Sequence, residues 1–537
     1  MDRPLGSDEA VHHLSDTDQF LFRSYFHSLN KPFNQIKNQS PTMIVGRRGS
    51  GKTDALLSHS FMPQPFGQYS PVVYFDADNS ANLFQNILTL INQQIRRDTP
   101  KPMVELVSSL WSYLFWVTIF VEINKEHGQS CQSDDLHKFT TALGLSPNPV
   151  TPYEMASETI IRLSESFNKL SMEERALGFF SRFQYIDFGG VSFRDAQYEA
   201  KKILNETGRV GIILLDSFEE VSVSRDEDAL TISGLLRSVS RMHDPGVPLE
   251  IRCCIPAEAY FYITDISSNV LKDFQRQTIL HWSAMEILQV CARRYSNFLQ
   301  LHHRSLYDGA FSHFDLETRD GTRQFWASVL PKLTPNLNPN IMEDTIPYML
   351  RHTQLLPRQM ILLLNRCLAT HFTAGRGPSE VIQPEIISDV VKKTERHIAR
   401  QIITAHKFIW PDAEKQIEQV LKELGHNVVR VGDLRRLFSR SPVRGFGNVY
   451  DFSDYLRMLT ELGVVGRFID RTERFVVATY EYSEPFRLLF NEDDLLCVHP
   501  CFTQIYRVLD RNSLPDDYLP VYPHGAHPND LDRREFD

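Results

Sequence analysis

The most informative stretch of this sequence is GRRGSGKT at residues 46–53, with the apolar run TMIV before it at 42–45 and DALL after it at 54–57. The pattern G-x-x-x-x-G-K-[ST] predicts a phosphate-binding loop between a strand and a helix, because glycines let the backbone wrap a phosphate while its N–H groups point at the oxygens. In such a loop Lys52 reaches the β- and γ-phosphates and the hydroxyl of Thr53 binds Mg²⁺. A chance glycine-rich turn is the alternative, and the flanking strand and helix signals count against it. We therefore predict that ATP and Mg²⁺ are bound by Gly46, Arg48, Gly49, Ser50, Gly51, Lys52 and Thr53.

A second apolar run, VGIILLD at 210–216, ends in an acid. A strand that ends in an acid facing the metal is the usual partner of a phosphate loop, so Asp216 is predicted to act at Mg²⁺ together with Thr53. Many ATPases of this type carry a second acid directly afterwards, whereas this chain has Ser217. Glu219 and Glu220 follow, and they either orient the attacking water or are helix-start acids favoured by the helix dipole. Nucleotide binding is thus better supported than hydrolysis, which we expect to be slow.

Apolar runs at 42–45, 72–76, 210–216, 249–255 and 277–280 predict five strands of a parallel sheet in an α/β fold. The long gap between the second and third strands predicts a helical insertion, because a compact domain does not hold a loop of that length. Further along, three helical segments precede two alternating strands, which is the layout of a winged helix. The predicted divisions are an N-terminal helix and the start of the P-loop ATPase core at 1–80, the helical insertion at 81–208, the rest of the core at 209–283, a helical lid at 284–410, a winged-helix-like domain at 411–482, and a C-terminal extension with a poorly ordered tail at 483–537.

Composition narrows the class of protein. A net charge of -10 with 42% hydrophobic residues fits a globular chain that does not coat nucleic acid as a whole. The N-terminal sequence lacks a basic segment followed by an apolar core, which predicts a cytoplasmic protein.

The charge-free run LVSSLWSYLFWVTIFV at 106–121 is shorter than the roughly 20 residues that a bilayer needs, so we expect a core helix and no membrane contact. Cys497 and Cys501 lack a second pair of metal ligands nearby, which favours buried reduced cysteines over zinc.

The phosphate loop, Asp216, the strand succession and the winged-helix pattern together resemble the AAA+/STAND group of P-loop ATPases, especially its origin-recognition-like branch, over about residues 16–479. The resemblance implies that an arginine of the lid senses the γ-phosphate. Arg358, in LPRQM at 356–360, is the candidate for this role; the alternative is that Arg358 is a solvated arginine at the start of a helix. It also implies that Arg276, just before the fifth strand, is an arginine finger for a neighbouring subunit. The segment IPAE at 255–258 has no Asn, Thr or Arg at the expected sensor position, which again favours slow turnover.

Three functions compete on these grounds. The first is a nucleotide-dependent switch or assembly platform, as in signalling and bacterial defence ATPases of the STAND kind, with a homo-oligomer and a separate effector protein as partners. The second is a DNA-dependent AAA+ ATPase, a loader or regulator, whose winged helix would place an arginine patch on DNA phosphates. The third, a mechanical ATPase, lacks a pore-loop or helicase signature. The missing acid and sensor favour the switch. Acids on the predicted recognition helix favour a solvated arginine face or a protein-docking surface over DNA contact by the patch. The patch comprises Arg430, Arg435, Arg436, Arg440 and Arg444, and the acids are Asp451, Asp454 and Glu461.

Overall fold

The computed structural model describes residues 3–6, 42–61, 69–75, 83, 86–87, 89, 103–127, 135–144, 151–168, 187–216, 226–242, 246–258, 260, 277–336, 341–407, 409–440, 444–445, 448–449, 451–484, 487–508 and 518–532. These residues divide into two compact units. The first, which we call the sheet unit, lies within 35–48 and 52–280. The second, the C-terminal unit, lies within 1–34, 49–51 and 281–537, so it includes three residues of the glycine-rich loop.

The sheet unit consists of a parallel sheet and the helices that cover it. Its elements in chain order are β1 (Met43–Gly46), α1 (Lys52–Phe61), β2 (Tyr69–Phe75), α2 (Met103–His127), α3 (Asp135–Ala142), α4 (Pro152–Asn168), β3 (Asp187–Phe188), β4 (Val191–Ser192), α5 (Phe193–Glu206), β5 (Val210–Leu215), α6 (Asp226–Met242), β6 (Leu249–Pro256) and β7 (Gln277–Leu280).

The five predicted strands form one five-stranded sheet in the order β2-β5-β6-β1-β7, and every pair is parallel. The predicted α/β class and parallel sheet are therefore confirmed. Strand β6 lies between β1 and β5, with Cys253 opposite both Met43 and Leu215. The carboxyl ends of these three strands meet at one edge of the sheet, where ligands bind in open α/β sheets. The loop after β1 and Asp216 after β5 both lie at this edge.

The long apolar helix α2 forms the core of the sheet unit. Its stretch Val104–Lys125 is long and apolar enough for a membrane span by composition alone, but 83% of its most apolar window is buried inside the protein. It packs closely on α6, because a Cβ on Gly234 would approach Val107 Cγ1 to 2.5 Å. The indole Nε1 of Trp111 donates to the Thr231 carbonyl at 3.1 Å across the same contact. The environment of α2 is thus a protein core, as the sequence predicted.

The C-terminal unit continues the chain with helices and a second sheet. Its elements are α7 (Ala284–His302), α8 (Arg304–Leu306), a π-helical turn (Tyr307–Phe311), α9 (Arg319–Val329), β8 (Leu333–Pro335), β9 (Met342–Asp344), α10 (Thr345–Arg351), α11 (Pro357–Thr373), α12 (Pro384–Ala405), α13 (Ala413–Leu421), β10 (Val428–Arg430), α14 (Val431–Arg440), β11 (Arg444–Gly445), β12 (Asn448–Val449), α15 (Phe452–Glu461), β13 (Val465–Arg471), β14 (Val476–Thr479), a 3-10 turn (Glu481–Ser483), β15 (Leu495–Val498), α16 (Pro500–Thr503), β16 (Val521–Pro523) and α17 (Pro528–Asp532).

The predicted helices and hairpin of the winged-helix pattern are present as α13, α14, α15, β13 and β14. The hairpin is not a free wing, however, because it lies inside a five-stranded sheet in the order β10-β15-β13-β14-β16. Strand β15 pairs with β13, and β16 pairs in parallel with β14. Of the three strands added to the hairpin, β10 lies within the predicted winged-helix-like domain, while β15 and β16 come from residues beyond 482, the predicted extension and tail.

The prediction of a poorly ordered tail is wrong for residues 518–532. The prolines and acids in this stretch suggested disorder, but several of its residues make specific contacts. Tyr522 on β16 is 2% exposed and donates its hydroxyl to Glu343. Glu343 also pairs with buried Arg351 at 2.9 Å. The Asp530 carboxylate accepts the Gly525 N–H at 2.8 Å, so one acid of the segment caps its own turn.

Candidate phosphate-binding site

The loop between β1 and α1 has a backbone that depends on glycine. Gly49 and Gly51 have φ angles of +88° and +89°, in the left-handed region that other residues rarely adopt. Loops with such residues turn successive N–H groups toward one point and form concavities that bind anions. The strand before the loop and the helix after it, which the motif requires, are both confirmed.

The structure brings together the predicted metal residues. Thr53 Oγ1 on α1 donates to Asp216 Oδ2 after β5 at 2.8 Å. Asp216 is 2% exposed, and its N–H donates to the Phe75 carbonyl at 2.9 Å, so the carboxylate is held by the sheet edge. Lys52 is 4% exposed, and its Nζ donates to the Arg47 carbonyl at 3.2 Å. The ammonium group thus points back onto the loop.

Tyr74 is a residue that the sequence analysis missed. Its hydroxyl donates to the same Asp216 Oδ2 at 3.0 Å, from the neighbouring strand β2. The only sequence signal was a polar tip on an aromatic residue near the end of a strand. Two hydroxyl donors on one carboxylate oxygen stabilise its negative charge.

Glu258 is the second missed residue. It follows β6, and its Oε1 accepts the Arg48 N–H at 3.1 Å and lies 3.9 Å from Arg47 Nε. No Asn, Thr or Arg occupies the expected sensor position after this strand. The structure instead has a carboxylate that accepts a loop N–H.

Within the C-terminal unit, two residues contact the loop residues 49–51. Trp282 Nε1 donates to the Ser50 carbonyl at 2.7 Å. Arg358, at the start of α11, donates its backbone N–H to the Gly49 carbonyl at 3.4 Å, and a Cβ on Gly49 would come within 3.0 Å of the Arg358 Cβ. The predicted sensor arginine therefore lies directly against the loop, while Trp282 was not predicted. Arg276, Glu219 and Glu220 lie outside the described residues.

The available oxygen ligands suit Mg²⁺ bound jointly with a phosphate. Mg²⁺ prefers hard oxygen ligands and is usually held by one or two protein groups plus substrate phosphates. Thr53 and Asp216 supply a hydroxyl and a carboxylate. In the described part of the chain, no group of three or more His, Cys, Asp or Glu side chains forms a separate metal site.

No family model matches this chain, and no curated protein matches it. Among solved structures it is similar to the Aeropyrum pernix ORC2 protein in its ADPNP-ADP complexes, with a TM-score of 0.38, 13% identity, and coverage of 92% of this chain and 93% of that one. The ADP form of the same protein gives a TM-score of 0.31 and 14% identity over 92% of this chain and 91% of that one. At these values the similarity assigns neither a family nor an activity.

The arginine patch, for which DNA contact was the alternative prediction, is partly neutralised within the C-terminal unit. Arg435 Nε lies 2.7 Å from Glu492 Oε1, and its guanidinium lies over the Phe452 ring at 4.5 Å from the ring centre. Arg436 pairs with Asp433 one helical turn away. Two of the five predicted arginines thus have carboxylate partners, which lowers the local positive charge.

Proposed function

We propose that this chain is a cytoplasmic nucleotide-dependent switch of the AAA+ type that binds ATP with Mg²⁺ through residues 46–53 and hydrolyses it slowly. The observation that carries this proposal is the 2.8 Å hydrogen bond between Thr53 and Asp216. The two residues are 163 positions apart, and each was predicted separately as a Mg²⁺ residue. Their meeting at the carboxyl edge of the sheet, with Asp216 buried, supports a nucleotide site over a chance glycine-rich turn.

Different residues would bind different parts of the ATP and Mg²⁺ ligand. Lys52 would exchange the Arg47 carbonyl for the β- and γ-phosphates, and the loop N–H groups would donate to phosphate oxygens. Thr53 and Asp216 would hold Mg²⁺, whose charge neutralises the phosphates and fixes their orientation. Tyr74 would keep the Asp216 carboxylate in place.

A switch requires contacts that differ between the bound and free states. Glu258 supplies one such contact, because its carboxylate accepts the Arg48 N–H that a phosphate would also need. Two anions cannot share that donor without repulsion, so a bound phosphate would displace Glu258. Arg358 supplies another, since it packs on Gly49 and would report a change in the loop to α11.

The proposed output is a change in self-association and in the binding of a separate effector protein. A protein partner fits the arginine patch better than DNA does, because Arg435 and Arg436 are already paired with acids. A role in bacterial defence is proposed from the resemblance of fold alone. Arg276 as a finger and Glu219 or Glu220 as the acid that orients water are parts of the same proposal.

The experiment is light scattering of the purified chain in ATP with Mg²⁺, in ADP with Mg²⁺ and without nucleotide, with Arg358→Ala as the test variant. The expected result is a nucleotide-dependent change of mass in the wild type that Arg358→Ala loses while it still binds ATP. Equal mass and equal partner affinity in all three states would refute the switch. Duplex DNA that stimulates hydrolysis, with the effect lost in Arg435→Ala/Arg436→Ala, would replace it with the DNA-dependent alternative.

A further inference from the structure

Residues 3–6 are docked on two helices of the C-terminal unit that come much later in the chain. The four residues form a tight turn, in which the Gly6 N–H donates to the Arg3 carbonyl at 3.0 Å. Their sequence favours this turn, because proline fixes φ at the second position and glycine suits the fourth, where Gly6 has a φ of +77°. Leu5 is 1% exposed and belongs to the same buried core as residues of α7 and α11.

Two polar side chains hold the main chain of the turn. Asn365 on α11 accepts the Leu5 N–H through Oδ1 at 2.8 Å and donates Nδ2 to the Gly6 carbonyl at 3.0 Å. Arg294 on α7 donates Nη1 to the Leu5 carbonyl at 3.3 Å. With the turn in place, Asn365 is 5% exposed and Arg294 is 6% exposed. We call the surface formed by α7 and α11 around these two side chains the socket.

The socket has the properties of a peptide-binding site. Its amide and guanidinium groups bind backbone N–H and C=O groups, which gives affinity for a peptide, and its apolar part takes one buried side chain, which gives selectivity. The chemistry that fits is a short peptide turn with proline, an apolar residue and glycine in succession. Residues 4–6, PLG, supply this peptide within the chain itself.

The two helices of the socket both begin at the glycine-rich loop. Trp282, directly before the N-cap Ser283 of α7, donates to the Ser50 carbonyl at 2.7 Å. Arg358, in the first turn of α11, donates its N–H to the Gly49 carbonyl at 3.4 Å. The docked turn thus connects two helices whose first residues both contact the loop. A ligand that binds one arrangement of these helices stabilises the loop contacts made in that arrangement.

We propose that residues 3–6 are a reversibly bound peptide ligand of the socket, and that their docking raises the affinity of the glycine-rich loop for nucleotide. The second half of this proposal rests on the nucleotide site proposed above. Coupling between two binding sites is reciprocal, so ATP with Mg²⁺ strengthens docking of the turn by the same factor.

The socket is tested with the full chain and a synthetic peptide of residues 1–8, MDRPLGSD, which carries a fluorophore at its carboxyl end. The variant Leu5→Asp empties the socket, because a carboxylate cannot replace a leucine that is 1% exposed. Fluorescence anisotropy should show saturable binding of one peptide per chain to Leu5→Asp. The wild type should bind the peptide at least tenfold more weakly, because its own residues 3–6 compete from within the same molecule.

Two further variants serve as controls. Leu301→Asp makes the same change at a leucine of α7 that is 51% exposed, so it should bind the peptide as weakly as the wild type does. Asn365→Leu, added to Leu5→Asp, removes both amide hydrogen bonds at similar volume and should weaken peptide binding at least tenfold. The socket is refuted if the folded Leu5→Asp chain binds no peptide, if the wild type binds it equally well, or if Asn365→Leu has no effect. Circular dichroism verifies folding, and Leu5→Ala, which adds no charge, replaces Leu5→Asp under the same criteria if that variant is unfolded.

Titration of ATP with Mg²⁺ tests the coupling. Leu5→Asp should bind ATP about tenfold more weakly than the wild type, and saturating peptide should restore the wild-type affinity. This rescue separates the effect of a bound ligand from a general loss of structure, which added peptide does not repair. Equal ATP affinity in the two chains, or a loss that the peptide does not restore, would overturn the coupling. A wild type that binds no ATP would refute the coupling together with the nucleotide site, whereas the peptide titrations would still decide the socket.

Discussion

The substitution Asp216→Asn separates the charge of this side chain from its hydrogen bonds. Both described hydroxyl bonds, from Thr53 at 2.8 Å and Tyr74 at 3.0 Å, go to the single oxygen Oδ2. An amide oxygen in the same position accepts both, so Asn keeps these two bonds and removes the negative charge. The stability of the fold should therefore fall less than when the acceptor itself is removed. The affinity for ATP in the presence of Mg²⁺ should fall by about 10- to 100-fold, which is the usual effect of removing a group that supports a metal ligand.

The comparison variant is Asp216→Ala, which removes the acceptor as well. It takes the shared acceptor away from two part-buried hydroxyls, each of whose hydrogen bonds contributes about 0.5–1.5 kcal/mol or more, and should lower the melting temperature clearly. The assay is titration of ATP with and without Mg²⁺, together with thermal unfolding, for the wild type and both variants. If Asp216→Asn keeps the full effect of Mg²⁺ on ATP affinity, or loses as much stability as Asp216→Ala, the assignment of Asp216 to the metal is wrong.

Gly49→Ala should destabilise the chain by about 1–2 kcal/mol because its φ is +88°, and further because the new Cβ would lie 3.0 Å from the Arg358 Cβ. Gly190→Ala, at φ +81° with open space around it, should show the backbone effect alone. Equal losses of melting temperature in the two variants would show that the contact with Arg358 has no effect. Glu258→Gln keeps an acceptor for the Arg48 N–H but removes a carboxylate that competes with phosphate, so ATP affinity should rise about tenfold, or about 1.4 kcal/mol. Weaker binding in this variant would instead assign Glu258 a positive part in holding the nucleotide. Thiol labelling at pH 8 should leave at least six of the seven cysteines unreacted until the chain unfolds, because six are buried. Burial also raises the thiol pKa to about 12 in four of them, Cys253, Cys291, Cys367 and Cys497. Rapid labelling of more than one thiol in the native chain would contradict this packing.

Local patterns in the sequence were enough to find the five strands of the parallel sheet and the loop. The run MIVG and the glycine-rich residues after it predict a strand, a turn and a helix within 20 residues. Each strand of the sheet is a separate short apolar run. The order of the strands was not predictable from these runs, because it depends on which strands pair across long stretches of the chain. The placement of β6 between β1 and β5 is such a case.

The residues missed at the site share this cause. Tyr74, Glu258 and Trp282 act through contacts with residues that are 142, 210 and 232 positions away, and nothing in their immediate neighbourhood distinguishes them. The prediction that the C-terminal tail is poorly ordered failed for a related reason. Acids and prolines near the end of the chain lowered its apparent tendency to fold, while the contact of Tyr522 with Glu343 joins residues 179 positions apart.

Titration of ATP into the wild type and into Lys52→Met, each with Mg²⁺, tests the nucleotide site most directly. Lys52 is 4% exposed at the start of α1, and Met retains the length of its apolar stem, so the variant should melt close to the wild type. We expect saturable binding of one ATP per chain in the wild type and a loss of about 100-fold in the variant, since two charge-assisted contacts to phosphate contribute about 3 kcal/mol or more. A folded Lys52→Met protein that binds ATP as tightly as the wild type would contradict the proposed site, as would a wild type that binds no nucleoside triphosphate.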